Sequence, residues 1–256
     1  MTNIGEWFSN NKLTLNIDKT CFIIFKHNRW LHQQIPDSIS FSNKTINRVK
    51  SVKYLGLLID ESLKWNYHVN EVCNSIKKLF PIFYNIRQYI NLKHARSIYY
   101  SMIYSKVKYA IIAYGQTSQE NINKIQILQN KLMKVLTKKN YRFSTNCLHN
   151  ELDIIKVNDI INQEIVTFVH GYVNHKLPSV FDNYFIHRHS IETYLNEDRK
   201  VRFITPRHHT NIGADAINVK GAQLWNGLTF NINPNVTTKT LRKAYRKSIL
   251  PYDVNI

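Results

Sequence analysis

At residues 52–60 the sequence changes its period. The stretch reads Val-Lys-Tyr-Leu-Gly-Leu-Leu-Ile-Asp: branched and aromatic residues with Gly56 near the centre and a charge near each end. That composition predicts a short, largely buried strand, with glycine where a backbone must come close to something. Before it, apolar residues come in short runs broken by turn residues; after it, they recur every three or four positions. The order implies an α+β chain, a small antiparallel β piece followed by a mostly helical part.

Upstream, residues 4–12 read as the end of a helix with Trp7 and Phe8 on its core face and Asn10-Asn11 as the stop. Residues 13–16 and 21–25 read as strands, and residues 39–41 and 45–46 as a hairpin. Downstream, Val69, Cys73, Ile76, Phe80, Phe83, Ile86 and Ile90 form one stripe, which predicts a single helix from Tyr67 to Ile90. A second helix over residues 92–114 carries Ala95, Ile98, Tyr99, Met102, Ile103, Val107 and Ala110, closed by Gly115. Thr117 and Glu120 form a capping box for a third, which buries Ile122, Ile125, Leu128, Leu132 and Leu136. Short connections between these three imply an antiparallel bundle. A fourth helix is expected over residues 158–175, ended by Pro178, then irregular chain with one strand over residues 186–220. The last helix starts at Thr238 with Thr237 as N-cap and Val236 against Leu241 as a staple; Lys239, Arg242, Lys243, Arg246 and Lys247 are expected to face out. The domains expected are residues 1–60, 61–140 and 141–256.

Lysine and arginine number 35 against 17 acidic residues, a net charge of +18 spread along the chain. A polyanionic partner follows, nucleic acid ahead of an anionic membrane. The candidate contacts are basic residues beside the apolar stripes: Lys77, Lys78 and Arg87 on the first long helix, and Lys124, Lys131, Lys134 and Lys138 on the third. The plainer alternative for each is a solvated helix face. No apolar span suits a membrane helix and no signal peptide is read, so a cytoplasmic or nuclear protein is expected. Cys21, Cys73 and Cys147 are read as buried free thiols in a reducing compartment.

Much chemistry is excluded. The seven glycines, at 5, 56, 115, 171, 213, 221 and 227, are never two or five apart, so neither a dinucleotide loop nor a Walker loop exists. The adjacent acidic pair Glu197-Asp198 sits beside Arg199 and Lys200 and reads as a solvated charge cluster. His187, His189, His208, His209 and the Cys147/His149 pair lack the spacing of a metal set, so no metal site is expected. No complete catalytic set is identified.

Several blocks together resemble a family. Trp7, Asn11-Lys12-Leu13-Thr14-Leu15-Asn16, Lys19-Thr20 and Phe25 resemble the region after the catalytic box of reverse transcriptases from non-LTR (LINE-type, jockey-like) retrotransposons. Val52-Lys53-Tyr54-Leu55-Gly56 with Ile59-Asp60, Leu63, Trp65 and His68 resembles the next block. Tyr109, Tyr114-Gly115 and Gln129-Asn130-Lys131 follow in register. Pro206, Thr210-Asn211, Gly213, Gly221, Leu224-Trp225-Asn226 and Leu228 resemble the closing segment.

The resemblance implies that residues 1–60 are the distal palm, residues 61–140 a thumb that grips the template–primer duplex, and residues 141–256 the C-terminal extension. Tyr54, Leu55 and Gly56 match the primer grip, with a bulged core strand as the plainer alternative, and Lys53 beside them is a candidate nucleic-acid contact. Lys19 matches a lysine on the pyrophosphate side of the incoming nucleotide, although a turn lysine is the plainer reading. The family's paired aspartates are absent, so magnesium is expected only in the complete polymerase, and no cofactor is expected here. The missing N-terminal polymerase part and an RNA–DNA or RNA template–primer duplex are the implied partners, and the chain alone is expected to be inactive. The rival readings are a basic helical module that binds nucleic acid or protein, and a decayed element product without function.

Overall fold

The computed structural model describes residues 2–25, 36–41, 44–188, 201–229 and 236–250. The chain divides into two compact units, Met1–Asn70 and Glu71–Ile256. The α+β class holds: the described residues form helices and three two-stranded antiparallel sheets.

The first unit opens with α1 (Thr2–Asn10), where Gly5 lies close enough to the Phe41 ring that an added Cβ would stand 3.4 Å from it. Trp7, expected on the core face, is exposed. Neither expected strand at 13–16 or 21–25 forms. Asn16 instead caps a 3-10 turn, Ile17–Lys19, through the Lys19 amide (3.2 Å), and its carbonyl accepts the Thr20 hydroxyl (2.7 Å). Such local bonds compete with strand pairing, and Phe22 makes only an isolated bridge to Arg48.

Strands β1 (Ser38–Phe41) and β2 (Lys44–Asn47) pair as expected. The strand expected at 52–60 is instead two, β3 (Ser51–Tyr54) and β4 (Leu57–Asp60), with Tyr54 opposite Leu57. Leu55 and Gly56 turn between them with φ of 45° and 83°. Two positive φ values in a two-residue loop mark a type I′ hairpin turn, which matches the twist of the flanking strands. The tip is not buried: Tyr54 is 61% and Leu55 73% exposed. One apolar run thus crosses a turn that has a single conventional turn residue.

Asp60 ends the hairpin. Its carboxylate, on a residue 5% exposed, accepts the Ser62 hydroxyl (2.6 Å) and the amides of Trp65 (2.8 Å), Ser62 (3.1 Å) and Lys64 (3.2 Å). Leu63 and Trp65 take positive φ in this turn. The Leu58 amide donates to His68 Nδ1 (3.4 Å), and Arg48 pairs with Glu61 (2.5 Å), joining the end of β2 to the end of β4.

The helix expected over Tyr67 to Ile90 is two, α2 (Asn66–Lys77) and α3 (Phe80–Ile86), with Pro81 in the first turn of the latter. Proline lacks the amide that would bond back to residue 77, so it starts a helix rather than continuing one. The stripe survives the break: Val69, Cys73, Ile76 and Phe83 are buried.

The second expected helix is α4 (Leu92–Ile98), a π-helix (Tyr99–Tyr104), α5 (Ser105–Lys108) and α6 (Ile111–Tyr114). Ala110 interrupts it at φ 51°, with no glycine or proline to announce the break. Gly115 follows α6 as expected, and a Cβ there would stand 3.0 Å from the Ile161 side chain.

Helix α7 (Gln119–Leu136) is capped by the Ser118 hydroxyl on the Asn121 amide, not by Thr117. A short α8 (Thr145–Glu151) follows that the periodicity did not announce. Helix α9 (Val157–Val173) packs against α5, α6 and α7. It buries residues on most of its circumference, as a helix with several neighbours must.

The 186–220 segment holds more order than expected: β5 (Ile186–His187) pairs with β6 (Phe203–Ile204), and α10 (Asn211–Asp215) precedes α11 (Ile217–Asn226). Asn226 takes both backbone groups of Phe203 (3.0 and 2.7 Å), and Trp225 Nε1 donates to the Val201 carbonyl (2.8 Å). Helix α12 (Thr238–Ile249) has the expected Thr237 cap. Both α11 and α12 pack on α9 around Val166, Val169, Phe185, Phe203, Trp225 and Leu241.

Four helices stop without glycine. Lys12, Lys138, Asp153 and His175 take positive φ just past α1, α7, α8 and α9. After α7 the Lys139 amide reaches the Lys134 carbonyl (2.9 Å) and the Lys138 amide the Val135 carbonyl (3.2 Å), the two bonds of a Schellman motif. A lysine there bears a left-handed penalty that glycine avoids, so Lys138→Gly is expected to raise stability by about 0.5–1 kcal/mol. A thermal melt should show a midpoint higher by roughly 1–4 °C.

Candidate nucleic-acid interface

Two sets of sequence-predicted residues lie on the first unit. Lys53, Tyr54, Leu55 and Gly56 come together on the exposed end of the β3–β4 hairpin. Lys19 is exposed on the 3-10 turn, which packs against β2. The hairpin register sets Lys53 across from Leu58 and leaves Tyr54 and Leu55 with apolar surface in solvent.

On the second unit, Lys77 and Lys124 both lie near enough to Cys73 for their charges to act on its thiol. Burial pushes that thiol's pKa up, and the charges of Lys77 and Lys124 pull it back. Cys73 is buried as expected, whereas Cys21 and Cys147 are exposed. Lys124 also pairs with Glu120 (3.0 Å) and with Asn121 Oδ1 (3.1 Å). Lys78 and Lys131 are exposed on α2's end and α7, Lys138 is exposed beyond α7, and Lys134 donates to the Tyr141 carbonyl. Among the described residues, Lys78, Lys131 and Lys138 pair with no carboxylate. Arg87 lies over the Tyr84 ring, 4.8 Å from its centroid, with half of Tyr84 in solvent. From Asn121 to Asn150 there is no acidic residue, while Lys124, Lys131, Lys134, Lys138, Lys139 and Arg142 are basic.

Other cations turn out to be structural. Arg242 pairs with Glu164 (2.8 Å), which also meets Lys108 (3.4 Å). Arg96 pairs with Asp153 and lies over Tyr100, and Arg246 covers the same ring at 5.0 Å. Arg242 and Arg246, expected to face out, are half-buried here. Burial pushes the Tyr100 hydroxyl up to about 12, although Arg246 opposes it.

The Gln129-Asn130 pair also has a structural place. Gln129 Nε2 donates to Tyr99 Oη (2.6 Å) and to the Ile155 carbonyl (2.9 Å). Gln126 Nε2 donates to Gln129 Oε1 (2.7 Å) and Asn130 Oδ1 (2.8 Å), while its Oε1 accepts the Val157 amide (2.8 Å). His149 is buried, its Nδ1 donating to the Ile154 carbonyl (2.6 Å), and burial lowers its pKa. That histidine is a strut between α8 and the next segment. The wider turns of the π-helix aim Tyr99, Tyr100 and Tyr104 at Gln129, the Asp153 carbonyl and Gln163.

His187 lies against Tyr172 and Phe203, and His189 and Glu197-Asp198 fall outside the described residues. Among the described residues no three His, Cys, Asp or Glu side chains gather as a metal set. The sequence contains no two adjacent aspartates. No helix among the described residues is long and apolar enough to cross a membrane.

The described residues thus present a basic helical face and an exposed hairpin tip, and the proteins this chain is similar to are RNA-directed DNA polymerases of transposons. It is 23% identical over 206 residues to the probable RNA-directed DNA polymerase from transposon X-element of Drosophila melanogaster, covering 79% of this chain and 21% of that protein. It is 23% identical over 169 residues to the probable RNA-directed DNA polymerase from transposon BS of the same species (64% and 18%). It is 22% identical over 161 residues to the RNA-directed DNA polymerase from mobile element jockey of Drosophila funebris (62% and 17%). The chain is similar to jockey-like transposon RNA-directed DNA polymerases, as its blocks led one to expect, and spans about a fifth of the length of the curated relatives it matches. No family model and no solved structure matches it.

Proposed function

We propose that this chain holds the template–primer duplex of a retrotransposon reverse transcriptase. In this reading residues 1–60 are the distal palm, residues 61–140 the thumb and residues 141–256 the C-terminal extension. Lys77, Lys78, Arg87, Lys124, Lys131, Lys134 and Lys138 meet the phosphate backbone, and Lys53, Tyr54, Leu55 and Gly56 meet the primer strand. Lys19 serves the pyrophosphate side of the incoming nucleotide. Nucleotidyl transfer is assigned to the N-terminal polymerase part, the chain's protein partner, because no paired aspartates are available in this sequence.

The observation that carries the reading is the basic run on and after α7, uninterrupted by any carboxylate from Asn121 to Asn150. Each lysine that neutralises a phosphate releases a counterion, so affinity falls linearly with salt on logarithmic axes. The test is binding of the chain to an RNA–DNA hybrid across a salt series. Wild type should show a steep negative slope. Lys131→Gln combined with Lys138→Gln should make the slope shallower by roughly 1.8, two contacts at about 0.9 each. Absent or salt-insensitive binding would remove this function and favour the rival interaction module.

A further inference from the structure

We propose that the connection between α7 and α8, residues 137–144, is a stacking site for an unpaired nucleotide extending from the bound duplex. The inference rests on the nucleic-acid reading above and adds to it a preference for single-stranded extensions.

Tyr141 is the centre of the site. It is 73% exposed, and its ring packs into no core. Arg142 lies 5.3 Å from the ring centroid, and its Nε donates to the Tyr141 hydroxyl (2.7 Å). The cation therefore sits close to the ring while most of the aromatic surface stays in water. Lys134 donates to the Tyr141 carbonyl, and Lys139 covers the neighbouring Phe143 ring at 4.9 Å. The tyrosine thus stands among Lys134, Lys138, Lys139 and Arg142, with Glu120 and Glu151 the nearest acids in sequence.

The backbone here is well held. The Schellman bonds at Lys138 and Lys139 close α7. Asn140 Oδ1 accepts the Arg142 amide (3.3 Å), and its carbonyl accepts the Phe143 amide (3.0 Å). An ordered loop that presents a large ring to solvent gains little for folding, because that ring buries little area. It is well formed for recognition: an aromatic face takes any base, and the cations around it take the adjoining phosphates. Bases inside a duplex are already stacked on one another and cannot reach such a ring, whereas an unpaired one can. The occupant is accordingly a single-stranded nucleotide, and the duplex itself lies on the α7 lysines.

The test uses the 256-residue chain and two probes, a blunt RNA–DNA hybrid and the same hybrid with a short unpaired RNA extension. For wild type the extension should tighten binding about fivefold or more, the scale of one base–aromatic stack. Tyr141→Ala should abolish that gain and leave blunt-hybrid affinity within about twofold, whereas Tyr141→Phe, which keeps the ring, should retain it. Arg142→Gln should reduce the gain and flatten the salt dependence for the extended probe only. The proposal is overturned if the extension adds nothing to wild-type binding, if Ala and Phe behave alike, or if Tyr141→Ala weakens both probes equally. Loss of blunt-hybrid binding by wild type is a separate outcome, which removes the duplex-holding function and this site with it.

Discussion

Asp60→Ala is expected to destabilise the Met1–Asn70 unit by about 3 kcal/mol, because hydrogen bonds to a charged acceptor contribute roughly 1.5–3 kcal/mol each. The carboxylate gathers three amides and a hydroxyl within the turn from Asp60 to Trp65. Without it those amides lose their acceptor, while Leu63 and Trp65 remain in left-handed backbone that the turn no longer repays. The hairpin and the start of α2 should loosen together. Hydrogen exchange should show the β3–β4 amides losing protection first. Uniform retention of that protection would sink this account of the turn.

The same residue sets an acid dependence. Burial pushes the Asp60 pKa up, but the Ser62 hydroxyl and the amides of Lys64, Trp65 and Ser62 more than offset it, so the net shift is downward. In the unfolded chain the carboxyl takes its proton at a higher pH than in the folded one. Its contribution is thus complete above about pH 4 and is lost as pH falls through the lower folded value. Asp60→Asn cannot titrate, so its hairpin stability should change less than wild type's between about pH 5 and pH 2.

Gln129→Leu is expected to cost the second unit about 3 kcal/mol, although the side chains are similar in size. Gln129 is 1% exposed and joins α7 to the π-helix and to the segment before α9. Leucine leaves the Ile155 carbonyl without this donor and removes a partner from Tyr99 and from Gln126, all in a setting that water does not reach. A thermal midpoint lower by roughly 6–12 °C is expected for a unit of this size. A double-mutant cycle with Tyr99→Phe should give a coupling of about 0.5 kcal/mol or more. Additivity would mean that Gln129 acts by bulk alone.

These two residues change how the family blocks are read. Asp60, Gln129, Asn130, Trp225 and Asn226 lie in stretches that resemble reverse transcriptases, yet the structure gives each a bonding role inside its own unit. Lys131, Lys138, Tyr54 and Leu55 lie in or near the same blocks and face solvent. Burial separates the residues that hold the fold from those that face solvent, and a motif alone does not.

The class of fold, the α7 stripe, the α9 span and the Thr237 cap were legible because each depends on side-chain period or on a local cap. Helix stops were harder. The expected stops were glycine, asparagine and proline, but the chain uses Lys138, Asp153 and His175 in left-handed backbone instead. Pro81 was visible but lay beneath a stripe whose period continued past it. The exposed hairpin tip was hidden because one apolar run supplies both of its strands. The site at Tyr141 was missed because an isolated tyrosine carries no period; only its exposure and its neighbouring cations distinguish it.

The sequence by itself determined the order from β piece to helices, the excess of positive charge and the kinship with transposon polymerases, since these reside in composition, period and local pattern. Tertiary structure alone decided which cations are neutralised. Glu164 and Asp153 hold Arg242, Lys108 and Arg96 from positions distant in the chain, while Lys131 and Lys138 have no such neighbour among the described residues. An ion pair forms wherever folding brings opposite charges within a few ångströms, and spacing along the chain does not report that distance.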